Sequence, residues 1–135
     1  MKKVSLALVL VLCIGMLFGC SGNSSEYNYE SITAAEAKEL IDTGDYIILD
    51  VRTQEEYDEK HIPGSVHIPI DKNDVEPFKL EVEKQLTNKR ARIIVYCMAG
   101  FRSEIAVKAM SNLGYKRLYN MTDGIEGWNY DVEVG

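Results

Sequence analysis

Two short runs constrain the fold more than anything else in the chain. Residues 46–51, Tyr-Ile-Ile-Leu-Asp-Val, and 93–96, Ile-Ile-Val-Tyr, are apolar at almost every position and rich in β-branched and aromatic residues. That is the pattern of strands covered on both faces, as in a parallel sheet. Helical patterns surround them. Thr33 and Glu36 form a capping box ahead of Ala37, Leu40 and Ile41, and Gly44 supplies the stop. Thr53 and Glu56 repeat the device before a short helix ending near Lys60. Pro63-Gly64 is turn chemistry, residues 66–68 read as a short strand fenced by Pro69, and Val75, Phe78, Val82 and Leu86 predict a helix over 74–87. A helix over 104–113 that stops at Gly114 and a strand over 116–119 complete the alternation. Strands alternating with helices predict an α/β fold of three layers, with a mostly parallel central sheet flanked by helices.

In such sheets ligands sit beyond the carboxyl ends of the strands, and that is where Cys97 falls. It opens the loop Cys97-Met98-Ala99-Gly100-Phe101-Arg102-Ser103, which leads straight into the helical pattern. The first N–H groups of a helix have no partner within it, and the positive end of the helix dipole favours an anion there. Arg102 is expected to add a fixed positive charge. Helix N-termini and cationic neighbours are the settings of reactive thiolates, so Cys97 is the expected nucleophile, standing at the mouth of its loop. The competing reading is a buried cysteine that only ends a strand.

Cysteine usage sharpens the point. The chain has three cysteines, two of them within the first twenty residues. Lys2 and Lys3 precede an apolar stretch over 4–18, shorter than a comfortable membrane span and patterned like the core of a signal peptide. Leu17-Phe18-Gly19-Cys20 resembles the lipobox of bacterial lipoproteins. That resemblance implies cleavage before Cys20, lipidation of Cys20 with palmitate-type chains, and export to the extracytoplasmic face of the cell membrane, where the lipid anchor would hold the domain. The expected organisation is a signal peptide over 1–19, a tether over 20–30 and one folded domain over 31–135. Cys97 would then be the mature chain's single free thiol, and in an exported protein without paired cysteines the simplest explanation of a lone thiol is reactivity. Loss of Lys2 and Lys3 would take the formal charge from −6 to −8, which argues against nucleic acid as a partner.

Several separated segments resemble the rhodanese family of sulfurtransferases. They are Asp50-Val51-Arg52 with Glu55-Glu56-Tyr57, His61 to Pro69, the Cys97 to Ser103 loop, and Gly124-Ile125-Glu126-Gly127-Trp128, in that order. Asp123 stands where many members have glycine. The resemblance implies a rhodanese-like fold and an enzyme of the thiosulfate sulfurtransferase class. In that reading Cys97 accepts a sulfane sulfur as a persulfide and passes it to a thiol or cyanide, the loop N–H groups hold the anionic cargo, and no cofactor is needed. Expected donors are thiosulfate, polysulfide or a protein persulfide, with thiosulfate the poorer because the loop carries only Arg102. Asp50 and Arg52 are expected to be structural supports, as are His61 and His67, and two histidines alone make no metal site. A tyrosine phosphatase loop places its arginine one residue later than Arg102 stands, which leaves that chemistry a less favoured alternative. A tethered module that binds sulfur or docks at the membrane without turnover is the other alternative. Neither a phosphate-binding GxxxxGK[ST] nor a GxSxG serine elbow is present.

Overall fold

The computed structural model describes residues 26–135. The expected signal peptide over 1–19, the expected lipidation site at Cys20 and most of the expected tether lie outside them. Five strands and four helices alternate along the chain: β1 Glu30–Ile32, α1 Ala34–Asp42, β2 Tyr46–Asp50, α2 Gln54–Glu59, β3 Val66–His67, α3 Glu76–Gln85, β4 Arg92–Tyr96, α4 Phe101–Asn112 and β5 Arg117–Met121, with a closing 3₁₀ turn at Ile125–Gly127. The strands form one sheet in the order β1-β5-β4-β2-β3, and every pairing is parallel. The α/β architecture with a flanked central sheet is therefore the observed one.

Both capping boxes are present. The Thr33 and Thr53 hydroxyls accept the N–H groups of Glu36 and Glu56, and those glutamates accept the threonine N–H groups in return. The period-two alternation of β4 splits the core into its two layers. Ile93, Val95 and Cys97 face Phe78, Val82, Ala106, Val107 and Met110 of α3 and α4. Ile94 and Tyr96 face Ala34 and Ala37 of α1, together with Ile125 and Trp128.

Helix α3 and strand β3 are shorter than the 74–87 and 66–68 read from the sequence, and three further boundaries differ. Residues 28–30 belong to the fold rather than to a tether: the Asn28 N–H donates to Ser111 Oγ at 2.7 Å, and Glu30 begins a strand registered on Tyr119. The last strand runs to Met121, because it continues alongside both β1 and β4. Helix α4 begins at Phe101, three residues early, because Gly100 turns the chain at φ +97° directly into its first turn. Among the described residues no helix is long and apolar enough to cross a membrane.

Candidate active site

Cys97 follows the central strand β4 at the carboxyl edge of the sheet, where the chain must leave a fully buried strand and enter α4. Gly100 has no side chain with which to cap that helix, so the orphan N–H groups of its first turn remain available. They turn inward onto the sulfur. The Gly100 N–H donates to Sγ at 3.1 Å, and Ser103 Oγ lies 3.4 Å from the same atom. Burial pushes the thiol pKa up, but the Ser103 hydroxyl and the N–H groups of Ser103, Gly100 and Ala99 together outweigh it and hold Cys97 below the ordinary thiol range. The hydroxyl of Ser103 also reaches the Gly100 carbonyl oxygen at 3.1 Å. It therefore donates to that carbonyl beside a protonated thiol and can swing its proton to the sulfur when the thiol ionises.

Two expectations about this loop need correction. Cys97 is only 2% exposed, so the thiol lies on the loop's floor rather than at its mouth. The cause is its place in the period-two alternation, which turns the side chain toward Val95 and the α4 face. Arg102 does not add its charge to the sulfur either. As the second residue of α4 it points to α2, where Nη1 lies 2.9 Å from Glu56 Oε2 and Nη2 lies 3.2 Å from Glu56 Oε1. The thiolate is stabilised by dipoles and a hydroxyl instead. Phe101 is thrown outward and 80% exposed, beside a groove of about 860 Å³ lined by Thr53, Pro69, Asp71, Phe78 and Arg102.

The loop is braced from behind by the chain after β5. The Ile125 N–H donates to the Cys97 carbonyl at 2.9 Å and the Glu126 N–H to the Met98 carbonyl at 3.2 Å. This contact needs two glycines. A Cβ on Gly124, at φ +60°, would lie 2.1 Å from Met98 O, and one on Gly100 would lie 2.4 Å from Thr122 O. Both obstacles are backbone atoms that cannot swing aside. Asp123 serves a different junction: its Oδ2 accepts the Ala34 N–H at 2.9 Å, at the start of α1.

Asp50 and Arg52 sit beneath this edge as a fully buried pair. Arg52 Nη2 lies 2.7 Å from Asp50 Oδ2, Nε donates to both carboxylate oxygens at 3.1 Å, and Nη2 also donates to the Lys60 carbonyl at 2.6 Å. Neither bonds the sulfur. His61 and His67 both stack on the Tyr57 ring, at 3.8 and 4.5 Å between centroids, and bond backbone carbonyls of Tyr57 and Arg52. No group of three metal-ligating side chains occurs among the described residues. The sequence placed Glu56 in a capping box and a family-like segment and Gly124 in the closing family-like segment, but announced neither one's contact with the loop. Asn120 was not singled out either: its Oδ1 is buried without a hydrogen-bond partner, and the residue lines a pocket of about 220 Å³ with Gly100, Phe101, Glu104 and Thr122.

The site and the sheet order define a known class. The rhodanese-like domain family matches residues 33–131, and the chain belongs to that family. A relative in Bacillus subtilis, "Putative sulfur carrier protein YrkF", is 37% identical over 118 residues. That match takes in 83% of this chain and 59% of the relative, so the chain spans about three fifths of the relative's length. The thiosulfate sulfurtransferase GlpE of Coxiella burnetii is 31% identical over 100 residues, which cover 74% of this chain and 87% of that enzyme. The solved rhodanese-like domain of an Anabaena protein superposes with a TM-score of 0.68 at 24% identity, covering 78% of this chain and 79% of its own, a likeness of fold. A rhodanese-like domain protein from Staphylococcus aureus gives 0.63 at 27% identity, covering 78% and 98%.

Proposed function

We propose that this domain is a sulfurtransferase that carries a sulfane sulfur on Cys97. The observation that carries the reading is the ring of donors around a single thiol, Gly100 N–H and the Ser103 hydroxyl above all, which favours an anion on that sulfur. Loading from thiosulfate would be attack of the Cys97 thiolate on the outer sulfur. The S–S bond of the donor breaks, sulfite leaves with the electron pair, and Cys97 holds a persulfide anion. Attack by cyanide on the terminal sulfur releases thiocyanate and restores the thiolate. A thiol acceptor would take the sulfur as its own hydropersulfide, returning the same thiolate. Polysulfides and protein persulfides are donors of the same type.

The depth of Cys97 suits this chemistry. A disulfide-type bond is about 2.05 Å long, so the added sulfur stands above the floor, nearer the mouth where an acceptor arrives. Arginine-assisted binding of a phosphate, as in a phosphatase, finds less support because Arg102 is held by Glu56. Incubation with a sulfane donor should add the mass of one sulfur atom, and cyanide should remove it as thiocyanate. Cys97→Ser should abolish both signals, and persistence of either would sink the assignment. A carrier without turnover is the second reading, favoured by the 2% exposure of Cys97 and by the sulfur-carrier name of the Bacillus relative. A persulfide that forms once but is not passed to cyanide or small thiols would select it.

The proposed setting is the extracytoplasmic membrane surface, through lipid on Cys20. Lys2, Lys3, the apolar residues 4–18 and Leu17-Phe18-Gly19-Cys20 support it. Metabolic labelling with palmitate should mark the full chain but not Cys20→Ala, and equal labelling of both would refute the anchor.

A further inference from the structure

Arg102 is the one cation in the Cys97 to Ser103 loop, and it is committed elsewhere. Both of its terminal nitrogens face Glu56 in a two-pronged pair whose side chains are 24% and 28% exposed. Glu56 cannot readily turn away, because its Oε2 also accepts the Thr53 N–H at 3.2 Å in the capping box of α2. Asp71 and Asp74 line the groove beside Arg102 together with Lys72, so that groove carries no net positive charge. We infer that Glu56 is a specificity-determining residue: by holding Arg102 it withholds the loop's only cation from the donor, so the domain takes sulfur from singly charged sulfane donors in preference to dianionic thiosulfate.

This inference rests on the reading of Cys97 as the sulfur acceptor. The physical reason is charge accumulation. Thiosulfate brings two negative charges against a buried thiolate, where repulsion is weakly screened, and its departing sulfite is again a dianion. A thiosulfonate anion brings one. The thiolate attacks its outer sulfur, the S–S bond breaks, a sulfinate monoanion leaves with the electron pair, and the same persulfide remains on Cys97. The loop dipoles are sufficient for one added charge but have no ion to set against a second.

Methanethiosulfonate is the probe, because it differs from thiosulfate by a methyl group in place of one charged oxygen. The second-order rate of sulfur loading is followed by mass spectrometry for both donors, on the wild-type domain and on Glu56→Gln, which keeps an acceptor for the Thr53 N–H. The wild type should load from methanethiosulfonate about tenfold faster than from thiosulfate, and Glu56→Gln should raise the thiosulfate rate by about tenfold while moving the other by less than about threefold. High salt should shrink the difference between the two proteins. A structural defect would lower both rates together and leave their ratio unchanged, and an unchanged ratio overturns the role of Glu56. A wild-type domain that loads from neither donor overturns the sulfurtransferase reading along with it. A melting curve for Glu56→Gln, and Glu56→Ala as a second variant, confirm that the ratio is read on folded protein.

Discussion

The same junction occurs twice in this domain, side by side, with opposite outcomes. Strands β2 and β4 are neighbours registered so that Asp50 lies opposite Tyr96, and each runs out into a helix within a few residues. After β2, the chain turn is closed by its own side chains. Asp50 and Arg52 fill the strand end as an ion pair, and Thr53 and Glu56 close the first turn of α2. After β4 there is no cap at all. Gly100 offers only its backbone, and the free N–H groups of α4 gather on a sulfur. A helix start becomes a reactive site when its own sequence declines to cap it, and the capped twin next door holds the open one in place.

That contrast breaks most severely at the closed junction. Arg52→Ala leaves Asp50 as an unpaired carboxylate with no exposure, and loss of one member of a buried pair costs about 3–5 kcal/mol. For a domain of this size that corresponds to a melting point lower by roughly 15–30 °C, read by calorimetry. A drop of only a few degrees would mean that water reaches the pair and that the strand end is not closed. Next in size is the brace behind the open junction. Gly124→Ala forces a methyl group to 2.1 Å from the Met98 carbonyl, with an expected cost of about 2–3 kcal/mol and a fall in sulfur loading of at least about tenfold. Stability lost with loading intact would show that the loop keeps its shape without Gly124.

How much of this was legible in the chain follows the same division. Local devices were readable: doubly buried strands from their nearly continuous apolar runs, both capping boxes from their three-residue spacing, and Cys97 from its place at a strand end. The misreadings were non-local or too short to carry a pattern. Strand β1 has three residues, of which Glu30 and Ser31 are exposed, so no periodicity marks it. The first turn of α4 begins with an exposed Phe101 and a charged Arg102, which hid its start. Arg102 meets a partner 46 positions away, and nothing local to the loop announces that its charge is spent on Glu56. The depth of Cys97 likewise depends on α3 and α4 packing over β4, a tertiary fact.

Ser103→Ala tests the open junction itself, with a smaller effect. Removing the hydroxyl 3.4 Å from Sγ takes away a donor to the thiolate, so the thiol pKa should rise and loading at neutral pH should slow about tenfold. The sign follows from the depressed folded-state pKa. The thiolate's contribution to stability is present above the unfolded pKa and is lost as pH falls through the folded one, and the loading rate falls over the same limb. In Ser103→Ala that limb moves to higher pH, as measured by the rate of thiol alkylation. An unmoved limb would assign the low pKa to the backbone N–H groups alone.

The smallest expected effect comes from opening the closed junction. Thr53→Ala removes the hydroxyl that accepts the Glu56 N–H at 3.3 Å, and loss of such a cap costs about 1 kcal/mol, or roughly 4–8 °C in melting point. Loading by methanethiosulfonate should stay within about twofold of the wild type, since nothing on α2 bonds the sulfur. The freed first turn of α2 acquires orphan N–H groups but no thiol to receive them, and Arg52 with Asp50 still occupies the space in front. Should Thr53→Ala instead depress loading as strongly as Ser103→Ala, the cap would be holding Glu56, and through it Arg102, for the chemistry as well as for the helix.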